Sequence, residues 1–201
     1  MPQSLLPEFQ VSRSDREQML QQRGLVVWLF GLSGAGKSTL ANELGQSLHK
    51  AGKLTLHLDG DILRGGLNQG LGFTKEDRLE NIRRAAEVAK LSVQSGCVVI
   101  CSFITPLEEM RGLVREIIHK DDLLEVYVRC SFATCANRDV KGLYKAAAAN
   151  QVANFTGKDS LFEEPKIEPG LTLNTEKLTV AECTQLLASA VNARATILPG
   201  Q

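Results

Sequence analysis

The residues best suited to chemistry form a glycine-rich loop near the N-terminus, which reads Gly31-Leu32-Ser33-Gly34-Ala35-Gly36-Lys37-Ser38. The loop matches the phosphate-binding pattern G-x-x-x-x-G-K-[ST] at every fixed position. Glycines let backbone N–H groups approach phosphate oxygens, and a helix that begins there adds partial positive charge. Lys37 is placed to reach the β- and γ-phosphates, and the Ser38 hydroxyl is placed to ligate Mg²⁺. The loop therefore predicts that the chain binds a nucleoside triphosphate.

A pair of carboxylates, Asp59 and Asp61, follows the next apolar segment in the sequence Leu58-Asp59-Gly60-Asp61. Two carboxylates beside a triphosphate can orient Mg²⁺ and accept a proton from an attacking hydroxyl. An Asp-Gly turn at a strand end is the alternative interpretation. The apolar run 97–103 ends without the magnesium-binding Asp that is usual in motor-type ATPases.

Arginines and one aromatic residue follow the carboxylates, and this composition suits a phosphorylated or sulfated ligand. Arginine offers a fixed fork for such oxygens, and an aromatic ring beside it can stack on a base. Arg78 and Asn81 lie one helical turn apart and can face the same ligand. The remaining members of the group are Arg64 and Phe73, together with Arg83 and Arg84, for which a solvated helix face is an equal alternative.

The elements that must position these residues alternate between strand and helix. A continuous apolar run predicts a strand over 25–30, and leucines at helical spacing predict a helix over 38–50. Further strands are predicted over 54–59, 97–103, 123–130 and 171–173, and further helices from Thr74, over 107–119, over 134–150 with a break at Gly142, and from Thr179. A short helix is expected to begin at Ser14, with Glu17 completing a capping box.

This alternation predicts an α/β fold, a three-layer sandwich of the phosphate-loop nucleoside-triphosphate-hydrolase type with a mainly parallel sheet and helices on both faces. We expect residues 1–24 to form an N-terminal arm. Residues 25–201 are expected to form a single phosphate-loop domain.

Composition and charge argue against several classes of partner. Acidic and basic residues number 23 each, so no net field favours nucleic acid or an anionic membrane. The absence of a long apolar run and of a signal peptide predicts a cytoplasmic protein without a membrane partner. Buried free thiols are predicted, with a redox disulfide or a metal site as the alternatives, for Cys97, Cys101, Cys130, Cys135 and Cys183.

Taken together, the motifs resemble the adenylylsulfate kinase family from about residue 12 to residue 190. The resemblance rests on the acidic pair and on the following segments: Gly66-Leu67-Asn68, Leu71-Gly72-Phe73, Glu76-Asp77-Arg78, Glu80-Asn81-Ile82-Arg83-Arg84, Phe103-Ile104-Thr105-Pro106, Lys141-Gly142-Leu143-Tyr144-Lys145 and Phe155-Thr156-Gly157. It implies transfer of the ATP γ-phosphoryl to the 3′-hydroxyl of adenosine 5′-phosphosulfate. It also implies Mg²⁺ as cofactor, a homodimer and possible functional coupling to an ATP sulfurylase.

The resemblance also implies roles for individual residues. Asp59 and Lys37 are the expected catalytic residues, and Ser38 and Asp59 the expected metal ligands. ATP is expected to contact Gly31, Ser33, Gly34, Ala35, Gly36, Lys37, Ser38, Thr39 and Arg138, the last at the start of a lid over about 138–160. The sulfated nucleotide is expected to contact Asp61, Arg64, Phe73, Arg78, Asn81, Ile104, Thr105, Lys141 and Phe155, with Phe73 and Phe155 on either side of its adenine.

Two other functions stay open. One is another phosphate-loop kinase that acts on a sugar acid or a nucleotide, and the other is a non-catalytic nucleotide-binding regulatory module. The presence of both carboxylates beside Lys37 and Ser38 argues against the module, because binding alone does not need the carboxylate pair.

Overall fold

One sheet of five parallel strands is at the centre of the fold, in a computed structural model that describes residues 11–139, 142–148, 156 and 161–197. The strands are β1 (Leu25–Phe30), β2 (Thr55–Asp59), β3 (Val98–Ser102), β4 (Leu123–Arg129) and β5 (Leu171–Asn174). Their order across the sheet is β2-β3-β1-β4-β5. The connection from β1 runs toward β2 on one side of the sheet, and that from its neighbour β3 runs toward β4 on the other. The carboxyl ends of β1 and β3 therefore lie at the kind of crevice where open α/β sheets bind ligands.

Helices cover both faces of this sheet, which confirms the predicted three-layer α/β class. They are α1 (Arg13–Leu20), α2 (Lys37–Lys50), α3 (Gly60–Arg64), α4 (Lys75–Val93), α5 (Glu108–Ile117), α6 (Phe132–Arg138), α7 (Leu143–Ala148) and α8 (Val180–Ala195). Alternate residues of β1 point to opposite faces. Val27 and Leu29 pack in the cluster that contains α2 and α8, whereas Trp28 and Phe30 pack in the cluster that contains α4 and α5.

Two of the long helices begin at the capping residues that the sequence indicates. Thr74 accepts a hydrogen bond from the Asp77 N–H at the start of α4, and Thr179 forms a capping box with Glu182 at the start of α8. Gly142 adopts φ +67° between α6 and α7, at the predicted break. Elsewhere the predicted and observed bounds differ by one or two residues, which is the usual uncertainty of helix and strand ends.

The predicted start of the first helix is wrong. Ser12, and not Ser14, is the N-cap, and Ser12 forms the capping box with Asp15. Both serines fit the same local pattern, so a tertiary contact decides between them. Arg13, in the first turn of α1, donates to Asp122 Oδ2 at 2.6 Å and to Asp122 Oδ1 at 2.7 Å. That paired contact ties the described part of the N-terminal segment to the turn before β4.

Two other predictions can be compared with the structure. All five cysteines are buried, as the sequence predicts. Burial raises the pKa of the Cys135 thiol to about 12, so this thiol is protonated at neutral pH. Among the described residues, no helix has both the length and the apolar character needed to cross a bilayer.

Candidate active site

A cleft of about 440 Å³ opens at the carboxyl ends of β1, β2 and β3. It brings the phosphate loop together with the acidic pair and the arginines, although these segments are far apart in the sequence. The predicted site residues that line it are Ser33, Gly34, Gly36, Lys37, Ser38, Thr39, Asp59, Asp61, Arg64, Phe73, Arg78, Asn81, Ile104 and Thr105.

Two glycines of the phosphate loop are required by the backbone itself. Gly31 has φ +147°, and a Cβ there would lie 2.4 Å from the carbonyl oxygen of Val128. Gly36 has φ +105° and is the N-cap of α2, so the first N–H groups of that helix face the cleft side of the loop. Lys37 Nζ donates to the carbonyls of Gly31 at 3.0 Å and Leu32 at 2.7 Å, which holds its charge within the loop.

Asp59 lies at the end of β2 and reaches the first turn of α2. Its Oδ2 accepts hydrogen bonds from Ser38 Oγ at 2.9 Å and from Ser102 Oγ at 2.6 Å. Its Oδ1 accepts the backbone N–H of Asp61 at 3.0 Å. The carboxylate is therefore held rigidly beside the hydroxyl that the loop pattern assigns to Mg²⁺.

The electrostatics of Asp59 favour the charged form. Burial raises the pKa of this carboxyl group, but hydrogen bonds from Ser102, Ser38 and the backbone N–H groups of Asp61 and Ile62 outweigh burial and lower the pKa below its ordinary value. The group is ionised at neutral pH and is a weak base in the free protein. A serine hydroxyl and an ionised carboxylate 2.9 Å apart are hard oxygen donors of the kind that Mg²⁺ prefers. The pair therefore fits Mg²⁺.

Ser102 lines the cleft and His57 contacts Ser102, and the sequence identified neither residue. Ser102 is the register partner of Asp59 across the β2–β3 pairing, and His57 Nε2 lies 3.2 Å from Ser102 Oγ. The sequence does place Ser102 near the end of a predicted strand, and the carboxyl ends of parallel strands lie at one edge of a sheet. What the sequence could not provide was the neighbour relation of β2 and β3.

Two guanidinium groups flank the ring of Phe73, which is 52% exposed. The Cζ atoms of Arg64 and Arg78 lie 4.2 and 5.7 Å from the ring centroid. Partial burial lowers the pKa of both arginines, and for Arg78 the charge of Arg64 adds to this effect. Two like charges held together in a partly desolvated cleft create a site that an anion stabilises.

Backbone carbonyls and hydroxyls orient these two arginines. Arg64 Nη1 donates to the carbonyls of Leu71 and Gly72 at 2.9 and 2.8 Å. Arg78 Nε donates to the Phe73 carbonyl at 3.0 Å and its Nη1 to Thr156 Oγ1 at 3.1 Å. These contacts fix the arginines on the same wall of the cleft as Phe73. By contrast, Arg83 and Arg84 both pair with Glu80. These pairs favour the alternative in which the two arginines lie on a solvated helix face.

Thr105 follows β3 in an unusual backbone conformation, with φ +42°. This value is an outlier for a β-branched residue. The Thr105 hydroxyl accepts the indole N–H of Trp28 at 3.0 Å, and its carbonyl accepts from Arg111 Nη1 at 3.0 Å. These two buried contacts hold the residue in place. Its neighbour Ile104 accepts the Gly31 N–H at 3.2 Å and so joins this segment to the phosphate loop.

Three of the predicted site residues that the structure describes do not line the cleft. Gly31 and Ala35 are buried beneath it. Arg138 donates instead to the carbonyl of Thr175 at 2.7 Å, and to its hydroxyl at 3.2 Å, after β5. Lys141 and Phe155 lie outside the described residues.

Thr175 and Tyr144 support the loop from other elements, and neither was identified from the sequence. Thr175 Oγ1 donates to the Ala35 carbonyl at 2.9 Å, and Tyr144 Oη donates to the Ser33 carbonyl at 2.7 Å. Both contacts join distant segments, so no local pattern predicts them.

Comparison with known proteins gives a consistent family. The model of the family described as adenylylsulphate kinase matches residues 23–174. An adenylyl-sulfate kinase of Phocaeicola vulgatus is 48% identical over 181 residues, which cover 90% of this chain and 88% of that protein. An adenylyl-sulfate kinase of Clostridium kluyveri is 50% identical over 173 residues, which cover 86% of this chain and 86% of that protein.

A solved structure gives the same result. An APS kinase of Mycobacterium tuberculosis, in complex with AMPPNP and APS, is 40% identical with a TM-score of 0.80, over 85% of this chain and 98% of that one. The match therefore covers most of this chain. On these matches, the chain belongs to the adenylylsulphate kinase family.

Proposed function

We infer that the chain transfers the γ-phosphoryl group of ATP to the 3′-hydroxyl of adenosine 5′-phosphosulfate (APS), giving ADP and 3′-phosphoadenosine 5′-phosphosulfate. The observation that carries the inference is one cleft with a phosphate loop at one side and the Arg64, Phe73 and Arg78 cluster at the other, with Asp59 also lining it. The sequence relatives are adenylyl-sulfate kinases, and the related solved structure contains an ATP analogue and APS.

The loop side suits the donor. The N–H groups at the start of α2 and the Lys37 ammonium supply positive charge to the phosphates, including the charge that develops on the transferring group. We propose that Ser38 and Asp59 would hold Mg²⁺. The bound ion would neutralise negative charge on the donor phosphates.

The other wall suits the acceptor. Arg64 and Arg78 are proposed to bind the sulfate and phosphate oxygens, and the exposed face of Phe73 is proposed to stack on the adenine. We also propose contacts from Asp61 and Asn81, both of which line the cleft. The family resemblance adds Ile104, Thr105, Lys141 and Phe155 to the proposed acceptor site.

Asp59 is proposed to orient the attacking 3′-hydroxyl. Phosphoryl transfer passes through a loose transition state, so the attacking oxygen needs positioning more than early deprotonation. A carboxylate with a lowered pKa meets that need and takes up the hydroxyl proton as the new O–P bond forms and the bond to ADP breaks. A relay through Thr105 is not required, and its hydroxyl already accepts from Trp28.

Further proposals rest on the family resemblance. They are a lid over about 138–160 that begins at Arg138, a homodimeric state, and functional coupling to an ATP sulfurylase that supplies the acceptor. The proposed cytoplasmic location rests on the sequence composition instead. We also propose a single kinase domain over 25–201 with an N-terminal arm over 1–24, on the basis of the sequence pattern.

The experiment that tests the proposed function measures ADP release with ATP alone, with ATP and APS, and with ATP and a sugar acid. We expect release that depends on APS and that Lys37→Ala nearly abolishes, since Lys37 supplies charge at the transferring group. Release that depends on the sugar acid would instead favour a different small-molecule kinase. Nucleotide binding without any release would favour the regulatory module.

A further inference from the structure

A buried pair of asparagines connects the cleft to the loop between α3 and α4. Asn68 lies in this loop and is fully buried, with 0% exposure. Its Nδ2 donates to Asn81 Oδ1 at 3.0 Å. Asn81 lies on α4 and lines the cleft. The side chain of Asn68 therefore reaches the site only through Asn81.

Two hydrogen bonds hold the peptide group that joins Leu67 to Asn68. The Asn68 N–H donates at 2.8 Å to the carbonyl of Leu63, which lies at the end of α3. Arg84 Nη1, on α4, donates to the Leu67 carbonyl at 3.0 Å. These bonds hold the backbone at Asn68 in one place relative to α4, and the side-chain amide projects from that fixed backbone. A fixed donor can impose an orientation on the side chain that accepts from it.

The orientation matters because a carboxamide has a donor end and an acceptor end. With Oδ1 directed to Asn68, the Asn81 amide turns its Nδ2 group away from Asn68. That group can donate to an oxygen of a bound ligand. The cleft wall with Arg78 then presents donors, which suits the oxygens of an anionic nucleotide.

The Asn68 amide is poorly suited to a merely structural role. In the part of the chain that the structure describes, Asn68 Oδ1 is buried without a hydrogen-bond partner. An unmet buried acceptor is destabilising, and an apolar side chain of the same shape would avoid that cost. What an apolar side chain cannot do is donate to Asn81.

We propose that Asn68 is a positioning residue for the acceptor substrate, which sets the Asn81 amide with its N–H group toward the acceptor oxygens. The proposal rests on the proposed function, because the acceptor is taken to be APS. It adds a residue that does not line the cleft to the determinants of acceptor affinity. ATP binding at the phosphate loop is not expected to depend on Asn68.

The test is a double-mutant cycle with Asn68→Ala, Asn81→Ala and both together, in which KM and kcat are measured for APS and for ATP. We expect Asn68→Ala to raise the KM for APS by about three- to tenfold and Asn81→Ala by about tenfold, the range of one hydrogen bond. Because Asn68 acts through Asn81, the double variant should show a rise of only about tenfold. The KM for ATP should change less than about twofold.

A second variant, Asn68→Leu, separates positioning from folding. It keeps the branched shape and removes both the donor and the unmet acceptor, so we expect the same rise in KM for APS with an unchanged or higher midpoint of thermal unfolding. Gln69→Ala, an exposed neighbour in the same loop, is the matched control and should leave both KM values unchanged.

Three results would overturn the proposal while the wild-type chain still phosphorylates APS. The first is a rise in the KM for APS of the double variant that equals the product of the two single rises. The second is an equal rise in KM for both substrates, and the third is an unchanged KM for APS in Asn68→Leu. A wild-type chain that releases no ADP with APS would instead overturn the proposed function, and this inference with it.

Discussion

Replacing Asp59 by asparagine removes one charge from the centre of the cleft and leaves the shape of the side chain almost unchanged. The carboxylate accepts from two hydroxyls on Oδ2 and from the Asp61 N–H on Oδ1. In Asp59→Asn the amide oxygen can keep the Asp61 N–H, while the hydroxyls of Ser38 and Ser102 rotate to accept from the new NH₂ group. Three charge-assisted bonds become neutral ones, which costs about 1 to 2 kcal/mol of unfolding free energy.

The effect of Asp59→Asn on turnover should be far larger than its effect on stability. The Ser38 hydroxyl would accept from the introduced amide instead of donating to a carboxylate, and the charge proposed to hold Mg²⁺ and the attacking hydroxyl is lost. We expect kcat to fall by about a hundredfold or more, with the KM for APS changed by less than about threefold. Ser102→Ala removes one bond to the same oxygen but keeps the charge, and should lower kcat by less than about tenfold.

Coupled measurement of ADP release, with chemical denaturation of the same samples, checks these values. A kcat within about threefold of wild type in a folded Asp59→Asn variant would refute the reasoning. The pH dependence supplies a second check, because the pKa of Asp59 is lowered from its ordinary value of 3.8. The stability that Asp59 contributes is therefore present above about pH 4 and lost as the pH falls through the lower folded value, so wild type and Asp59→Asn should converge in acid.

Three further predictions concern other contacts. Arg78→Ala should raise the KM for APS by about ten- to a hundredfold and spare ATP, because a charge-assisted bond is lost; an unchanged KM would place the acceptor elsewhere. Thr105→Ala should keep most of the activity and lose about 1 kcal/mol of unfolding free energy, because the Trp28 indole N–H loses its acceptor. Loss of turnover with unchanged stability would point to a relay through Thr105. Arg13→Ala should cost about 1 to 3 kcal/mol in denaturation without changing kcat, because the buried Asp122 loses both bonds from Arg13 and keeps only the longer contact with Arg23. A cost below about 0.5 kcal/mol would contradict the importance of the Arg13 pairing.

The sheet and its covering helices could be predicted because the local signals agree with the fold. β1 is a continuous apolar run that is buried on both faces, as expected for a central parallel strand. Thr74 and Thr179 are capping residues at the helix starts that the sequence indicated. The start of α1 failed this test because Ser12 and Ser14 offer equivalent local caps, and the contact of Arg13 with the distant Asp122 selects the first.

The phosphate loop and the acidic pair could be located from the sequence because both are short patterns whose geometry is local. The supports of those groups could not be located in this way. Ser102 binds Asp59 because β2 and β3 are neighbours, and Thr175 binds the loop because β5 ends beside α6. Asn68 is one of the residues that carried the family resemblance. Its burial and its bond to Asn81, however, depend on how the loop between α3 and α4 folds back on α4.

Product identification tests the central claim most directly. Wild-type chain is incubated with γ-labelled ATP, Mg²⁺ and APS, and the labelled product is analysed by mass spectrometry and by digestion with a 3′-nucleotidase, which hydrolyses 3′-phosphate monoesters. The proposed function predicts one labelled product, 3′-phosphoadenosine 5′-phosphosulfate, in equal amount to ADP, which releases its label as inorganic phosphate and regenerates APS on digestion. Label on any other position of the acceptor, or ADP formed without a labelled nucleotide, would contradict the account.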